Sequence, residues 1–142
     1  MLFVSTGANS MSAYFWVAAG GALGSVLRFW LSGVVAARFG SIFPWGTMGV
    51  NVTGSFVIGI LAAVAAPEGR LDSPTREFAT LFLMIGACGG YTTFSSFSLQ
   101  TLSLLRDGEW LYAGGNILLS VLGCLCAVWL GWWLGSTLSS QP

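Results

Sequence analysis

The sequence predicts an all-α membrane protein with four transmembrane helices, the third of them broken near its middle. Three observations carry this. Of 142 residues, 55% are hydrophobic and only 7% charged, with no His, whereas a soluble domain carries about a quarter charged residues. Four apolar runs are each long enough to cross a bilayer, which takes about 20 residues. One of those runs is interrupted by Gly86, Gly89 and Gly90 and by the hydroxyls of Thr92, Thr93, Ser95, Ser96 and Ser98. A membrane helix so rich in Gly, Ser and Thr loosens. Its freed backbone groups are tolerated at membrane depth only where they face protein or a water-filled path. The interruption therefore points to an ion site rather than a passive anchor.

Residues 1–10 read as an unstructured lead-in, without the basic stretch of a secretory signal, and Met11 is an alternative start. Residues 11–138 then form one four-helix transmembrane domain, and 139–142 a tail. The first span is placed at Tyr14–Ala37. Within it Gly20, Gly24 and Arg28 recur at i, i+4 and share a face. The two glycines form a small-xxx-small pair that lets another helix come close. Arg28 costs about 3 kcal/mol at a helix centre in hydrocarbon, so it must face protein, water or an anion. A snorkelling or hydrogen-bonding arginine is the alternative to an anion-attracting one.

The second span, Trp45–Ala65, repeats the geometry with Thr47, Asn51 and Ser55. Asn51 needs a partner, because an unpaired amide in lipid is costly. It is either interhelical glue or a pore-lining group. Pro67–Glu77 is the one polar connection, and Phe78–Leu105 is the third span. After the interruption Phe94 and Phe97 fall on one helical face. Such residues are ordinarily lipid-facing or core, but a phenyl edge is electropositive, so an anion could pass ring edges weakly enough to be released. The fourth span, Trp110–Leu134, places Tyr112, Asn116, Ser120 and Cys124 on one stripe, which is either a packing seam or a path for a small ion. Trp45, Trp110, Trp132 and Trp133 lie near span ends, where indoles favour the headgroup layer.

Charge counting leaves orientation open. Arg70 and Arg76 lie on one side of the membrane and Arg38 and Arg106 on the other, so the positive-inside rule sees two against two. A chain so balanced either inserts both ways and pairs with its inverted self, or is oriented by another feature. Absences narrow the chemistry further. No Asp, Glu or His lies in any predicted span and the chain has no Lys, so the groups that proton-coupled transporters use are missing. No nucleotide motif or nucleophile–base pair is present either. Cys88, Cys124 and Cys126 all fall within spans and carry no zinc-type spacing. An enzyme is not expected; a passive ion path is.

Three stretches carry a family resemblance: Gly20–Phe29 (GGALGSVLRF), Gly46–Phe56 (GTMGVNVTGSF) and Gly89–Ser98 (GGYTTFSSFS). In that order, one per span, they resemble the CrcB/Fluc family of fluoride channels. The resemblance implies a passive, selective fluoride channel that exports fluoride from the cytoplasm and lowers its toxicity. It implies a multi-pass protein of the bacterial inner membrane that works as an antiparallel, dual-topology homodimer. Its partners are the fluoride ion, a second copy of itself and the lipid bilayer, with no nucleic acid. By motif position Phe94 and Phe97 resemble paired pore phenylalanines, Asn51 the polar residue at one pore end and Arg28 the vestibule arginine. Ser96, with Thr93, Ser95 and Ser98, resembles the polar track, and Ser120 a pore-facing serine matched by place along its span. The backbone carbonyls of Gly89 and Thr92 resemble a structural Na+ site on the dimer axis. Two positions depart from the family pattern: Gln100, where many members have Glu, and Asn116, where many have Tyr. The rival functions are a small dual-topology multidrug exporter, which would need an embedded carboxylate, and a structural membrane subunit without transport.

Overall fold

In a computed structural model, residues 10–67 and 71–139 are described, and the regular elements among them are all helical. Helix α1 runs Ser10–Phe39 and α2 Trp45–Val64. The third crossing is composite: α3 (Ser73–Phe78) passes into a π-helical stretch, Ala79–Cys88, then into the single turn α4 (Gly89–Tyr91), and after Thr92 and Thr93 into α5 (Phe94–Arg106). Helix α6 runs Trp110–Ser139. Four stretches are long and apolar enough to cross a membrane: Met11–Phe39, Trp45–Val64, Ser73–Arg106 and Trp110–Ser139. Ser10 and Ser139, placed outside the transmembrane domain by sequence, are helical. The rest of the expected lead-in and tail, and Arg70 of the charge count, lie outside the described residues.

The third crossing starts at Ser73, five residues before the Phe78 expected from hydropathy. The cause is local. Asp72 is extended (φ −65°, ψ 162°) and Pro74 sits in the first turn, where its fixed φ and missing N–H cost nothing. Arg76 then serves the connection rather than solvent, its guanidinium donating to the carbonyls of Pro67 (3.2 Å) and Leu71 (2.8 Å). The polar Pro67–Glu77 stretch thus ends as the first turns of a helix.

Helix α2 packs most extensively on α6, and α1 on the π-helical stretch and α4. Helix α5 rests much more lightly, on α6 and barely on α2. The α1 seam depends on backbone contact. A Cβ at Gly24 would strike the Ala87 carbonyl oxygen and come within 2.8 Å of the Tyr91 nitrogen. This is the close approach that small-residue pairs permit between membrane helices. Large apolar side chains such as Phe29, Trp30, Leu111, Leu118 and Trp129 are exposed. In a protein dissolved in lipid that is the expected outer surface, since acyl chains are as apolar as Leu.

Candidate functional site

The site is built around two extended residues. Thr92 (φ −82°, ψ 155°) and Thr93 (φ −152°, ψ 113°) link α4 to α5. The helical ladder ends at the Thr92 N–H, so the polar groups of extended Thr93 need other partners. Asn51 supplies them: its Oδ1 accepts the Thr93 N–H at 2.7 Å, and its Nδ2 donates to the Thr93 carbonyl at 3.0 Å. One amide side chain thereby satisfies both polar groups of one residue, as a neighbouring strand would. Thr92 is tied backward, its N–H and Oγ1 both donating to the Cys88 carbonyl at 2.9 Å. Helix α5 restarts on a proper N-cap, the Ser96 N–H donating to Thr93 Oγ1 at 3.1 Å. Gly54 leaves room for the arrangement, because a Cβ there would meet the Thr92 methyl and, at 3.0 Å, the Tyr91 ring. The Tyr91 hydroxyl in turn pairs with Thr53 Oγ1 at 2.9 Å.

This hydrogen bonding decides which carbonyls are available to a cation. In a continuous α-helix the Thr93 N–H would close on Gly89 and the Ser96 N–H on Thr92. Both donors are committed elsewhere, to Asn51 and to Thr93 Oγ1. The Gly89 and Thr92 oxygens lose their helical partners, and Gly89 is exposed. Among the described residues no group of three His, Cys, Asp or Glu could hold a metal. A donor set of neutral backbone oxygens suits a hard cation, so these residues fit such an ion.

Two openings flank Thr93. A vestibule of about 770 Å³ is lined by Arg28, Thr47, Thr93, Ser96 and Gln100, with Asp107 and Glu109 also on its wall. The Arg28 Nε and the Gln100 Oε1 are buried there without a hydrogen-bond partner. A second, more apolar groove of about 340 Å³ is lined by Asn51, Thr93, Phe94, Phe97, Ser120 and Cys124 among others. Thr93 lines both. Phe94 is 76% exposed and Phe97 only 8%, and their ring centroids lie 5.3 Å apart at a 48° tilt. Phe94 is thus an unsupported ring leaning on a packed one.

The remaining hydroxyls fall into separate groups. Thr93 Oγ1 donates to Ser96 Oγ at 3.0 Å and lies 3.2 Å from Ser95 Oγ. Ser98 turns back onto its own helix, donating to the Phe94 carbonyl at 2.9 Å. Ser120 is buried and donates to Asn116 Oδ1 at 3.2 Å, and Asn116 Nδ2 donates to Thr101 Oγ1 at 2.8 Å. Thr101 is the residue that sequence reasoning missed; its hydroxyl donates to the Phe97 carbonyl at 2.8 Å. No local signal marks it, since any helical threonine can back-bond to the carbonyl four residues before it. The structure therefore gathers Arg28, Thr93 and Ser96 at the vestibule and Phe94, Phe97, Ser120 and Asn51 at the groove. Ser95 and Ser98 stay on the exposed side of α5.

The sequence profile of the CrcB-like proteins, described as "CrcB-like protein, Camphor Resistance (CrcB)", matches residues 15–132. A "Fluoride-specific ion channel FluC" from Opitutus terrae is 60% identical over 123 residues, 85% of this chain and 90% of that protein. Proteins of the same name from Methylocella silvestris and Rhodospirillum rubrum are 58% and 56% identical, over 118 and 120 residues. Each alignment covers 83% of this chain, with 88% and 90% of the respective relative.

Proposed function

Because the chain belongs to the CrcB-like family, we propose that it is a passive fluoride channel of a bacterial membrane, crossing it four times. Its relatives' names supply the ion. The observation that carries the reading is that the polar vestibule and the phenylalanine groove meet at one residue, Thr93. An anion drawn in by Arg28 finds the Ser96 hydroxyl as donor, beside Thr93 Oγ1, whose own proton is given to Ser96. Beyond them it finds the edges of Phe94 and Phe97 and the Ser120 oxygen. Ring edges attract an anion without a full countercharge, which keeps binding weak enough for release. The hydroxyls of Ser95 and Ser98 extend the polar track along α5.

The third crossing acts as a helix broken at Thr92–Thr93, and the functional unit is an antiparallel homodimer of dual topology. The support is physical: one copy leaves Phe94 exposed and its groove open along one side, and the arginine count favours neither orientation. The Gly89 and Thr92 carbonyls of two inverted copies would hold a structural Na+, which would supply the positive charge that oxygens without helical partners lack. Asn51 contributes by holding Thr93 extended where vestibule and groove meet.

Fluoride efflux from proteoliposomes, followed with an ion-selective electrode, tests the reading. Flux well above protein-free vesicles is expected. Flux at the protein-free level, from protein that runs as a folded dimer, would overturn it in favour of a structural subunit.

A further inference from the structure

A buried polar chain reaches the groove wall at Ser120, and its direction can be deduced from its other end. The Phe97 carbonyl can only accept, so the single proton of Thr101 points to it (2.8 Å). Thr101 Oγ1 must then accept from Asn116, which fixes the amide with Nδ2 toward Thr101 (2.8 Å) and Oδ1 toward Ser120. An amide oxygen has no proton to give, so Ser120 is the donor of the last link, at 3.2 Å. Every member is buried, Asn116 to 1% exposure. The chain also bridges α6 to α5 at one of the few places where those helices touch.

From this we infer that Asn116 is a positioning residue: through Thr101 it turns the Ser120 proton away from the groove, so that Ser120 offers a passing anion lone pairs until the Asn116 link opens. That link is the longest of the three, and it is the one a competing acceptor would break. Asn116 itself touches no ion. Its effect is to make the Ser120 donor conditional, a feature belonging to this chain's Asn116–Thr101 pair. The inference deepens the proposed channel function and rests on it.

The test is a double-mutant cycle read by fluoride efflux. Thr101→Val removes the acceptor that orients Asn116, so the amide can turn its Nδ2 to Ser120 and release the Ser120 proton toward the groove. The loss of flux caused by Ser120→Ala should then be about tenfold larger in the Thr101→Val background than in the natural one, within the coupling seen for residues of one hydrogen-bonded network. Asn116→Leu, which removes the acceptor of the Ser120 proton directly, should shift the Ser120→Ala loss the same way and stands in if Thr101→Val gives no dimer. An equal Ser120→Ala loss in natural and variant backgrounds would overturn the inference, because a packing role multiplies through unchanged. Absence of flux in the natural protein would instead strike the channel function and is distinguishable at the first measurement.

Discussion

Replacing Asn51 by Leu separates two ways in which this amide could matter. The side chain makes hydrogen bonds of 2.7 and 3.0 Å to the N–H and carbonyl of Thr93. Leucine fills similar space and makes neither. Each net hydrogen bond is worth about 1 kcal/mol, and a buried group left unpaired costs about 1–3 kcal/mol. Both groups are only partly buried, so we take the low end, a local loss of about 2–3 kcal/mol. Because about 1.4 kcal/mol is a tenfold change in an equilibrium, local opening at Thr93 should rise by about 30- to 150-fold. Amide hydrogen exchange of the Tyr91–Ser96 segment in detergent reads this directly, alongside fluoride efflux from vesicles. Faster exchange and lower flux together are expected. If flux collapsed while Thr93 exchange stayed at the natural rate, Asn51 would be acting on the ion and the clasp would be incidental.

Four further outcomes follow from the same geometry. Phe94→Ile should cut efflux by about tenfold or more, the upper end of what an aromatic contact contributes, with dimer yield preserved because isoleucine keeps an apolar surface there; natural flux would make the ring mere packing. Gly24→Val should abolish folded dimer on size-exclusion chromatography, since its Cβ already strikes the Ala87 carbonyl oxygen; a normal profile would mean that the α1 seam yields. Asp107→Asn with Glu109→Gln removes two carboxylates from the wall of the Arg28 vestibule, and efflux should rise at low salt and converge with the natural protein near 1 M, where the screening length is about 3 Å; equal flux at low salt would argue that the anion passes elsewhere. Exchanging Na+ for a bulky organic cation should weaken the dimer or its flux, and unchanged behaviour after exhaustive removal would reject the role given to the Gly89 and Thr92 carbonyls.

Hydropathy located the four crossings to within a few residues at most ends because lipid imposes length and apolarity on any helix that spans it. It fell short at Ser73, where a Pro-containing first turn carries Arg76 and Glu77 into the helix under a polar disguise, and at Ser139, where the last helix runs on past Leu134. The glycines of the first motif were read as a close-packing face, and Gly24 lies directly against Ala87 and Tyr91. What the residues could not tell was partner choice. Asn51 was legible as an amide in need of a partner, yet nothing local says that the partner is the backbone of Thr93, 42 positions away. Asn116 and Ser120 were legible as a stripe, but the chain that orients them ends on α5 through Thr101, a threonine like any other in sequence. The π-helical turns over Ala79–Cys88 had no signal beyond Gly86, since the rest of that stretch is ordinary apolar helix by composition.

The Asn51 clasp also bears on how the protein is made. The geometry at Thr93 is specified by the second crossing, which leaves the ribosome before the third. A third crossing alone in the bilayer would have no amide to take up the N–H and carbonyl of Thr93, and its Gly- and hydroxyl-rich stretch would be loose without being fixed. The fixed, extended form of Thr93 therefore belongs to docking rather than to insertion, and a truncated or swapped second span would deliver the third one threaded but without that form.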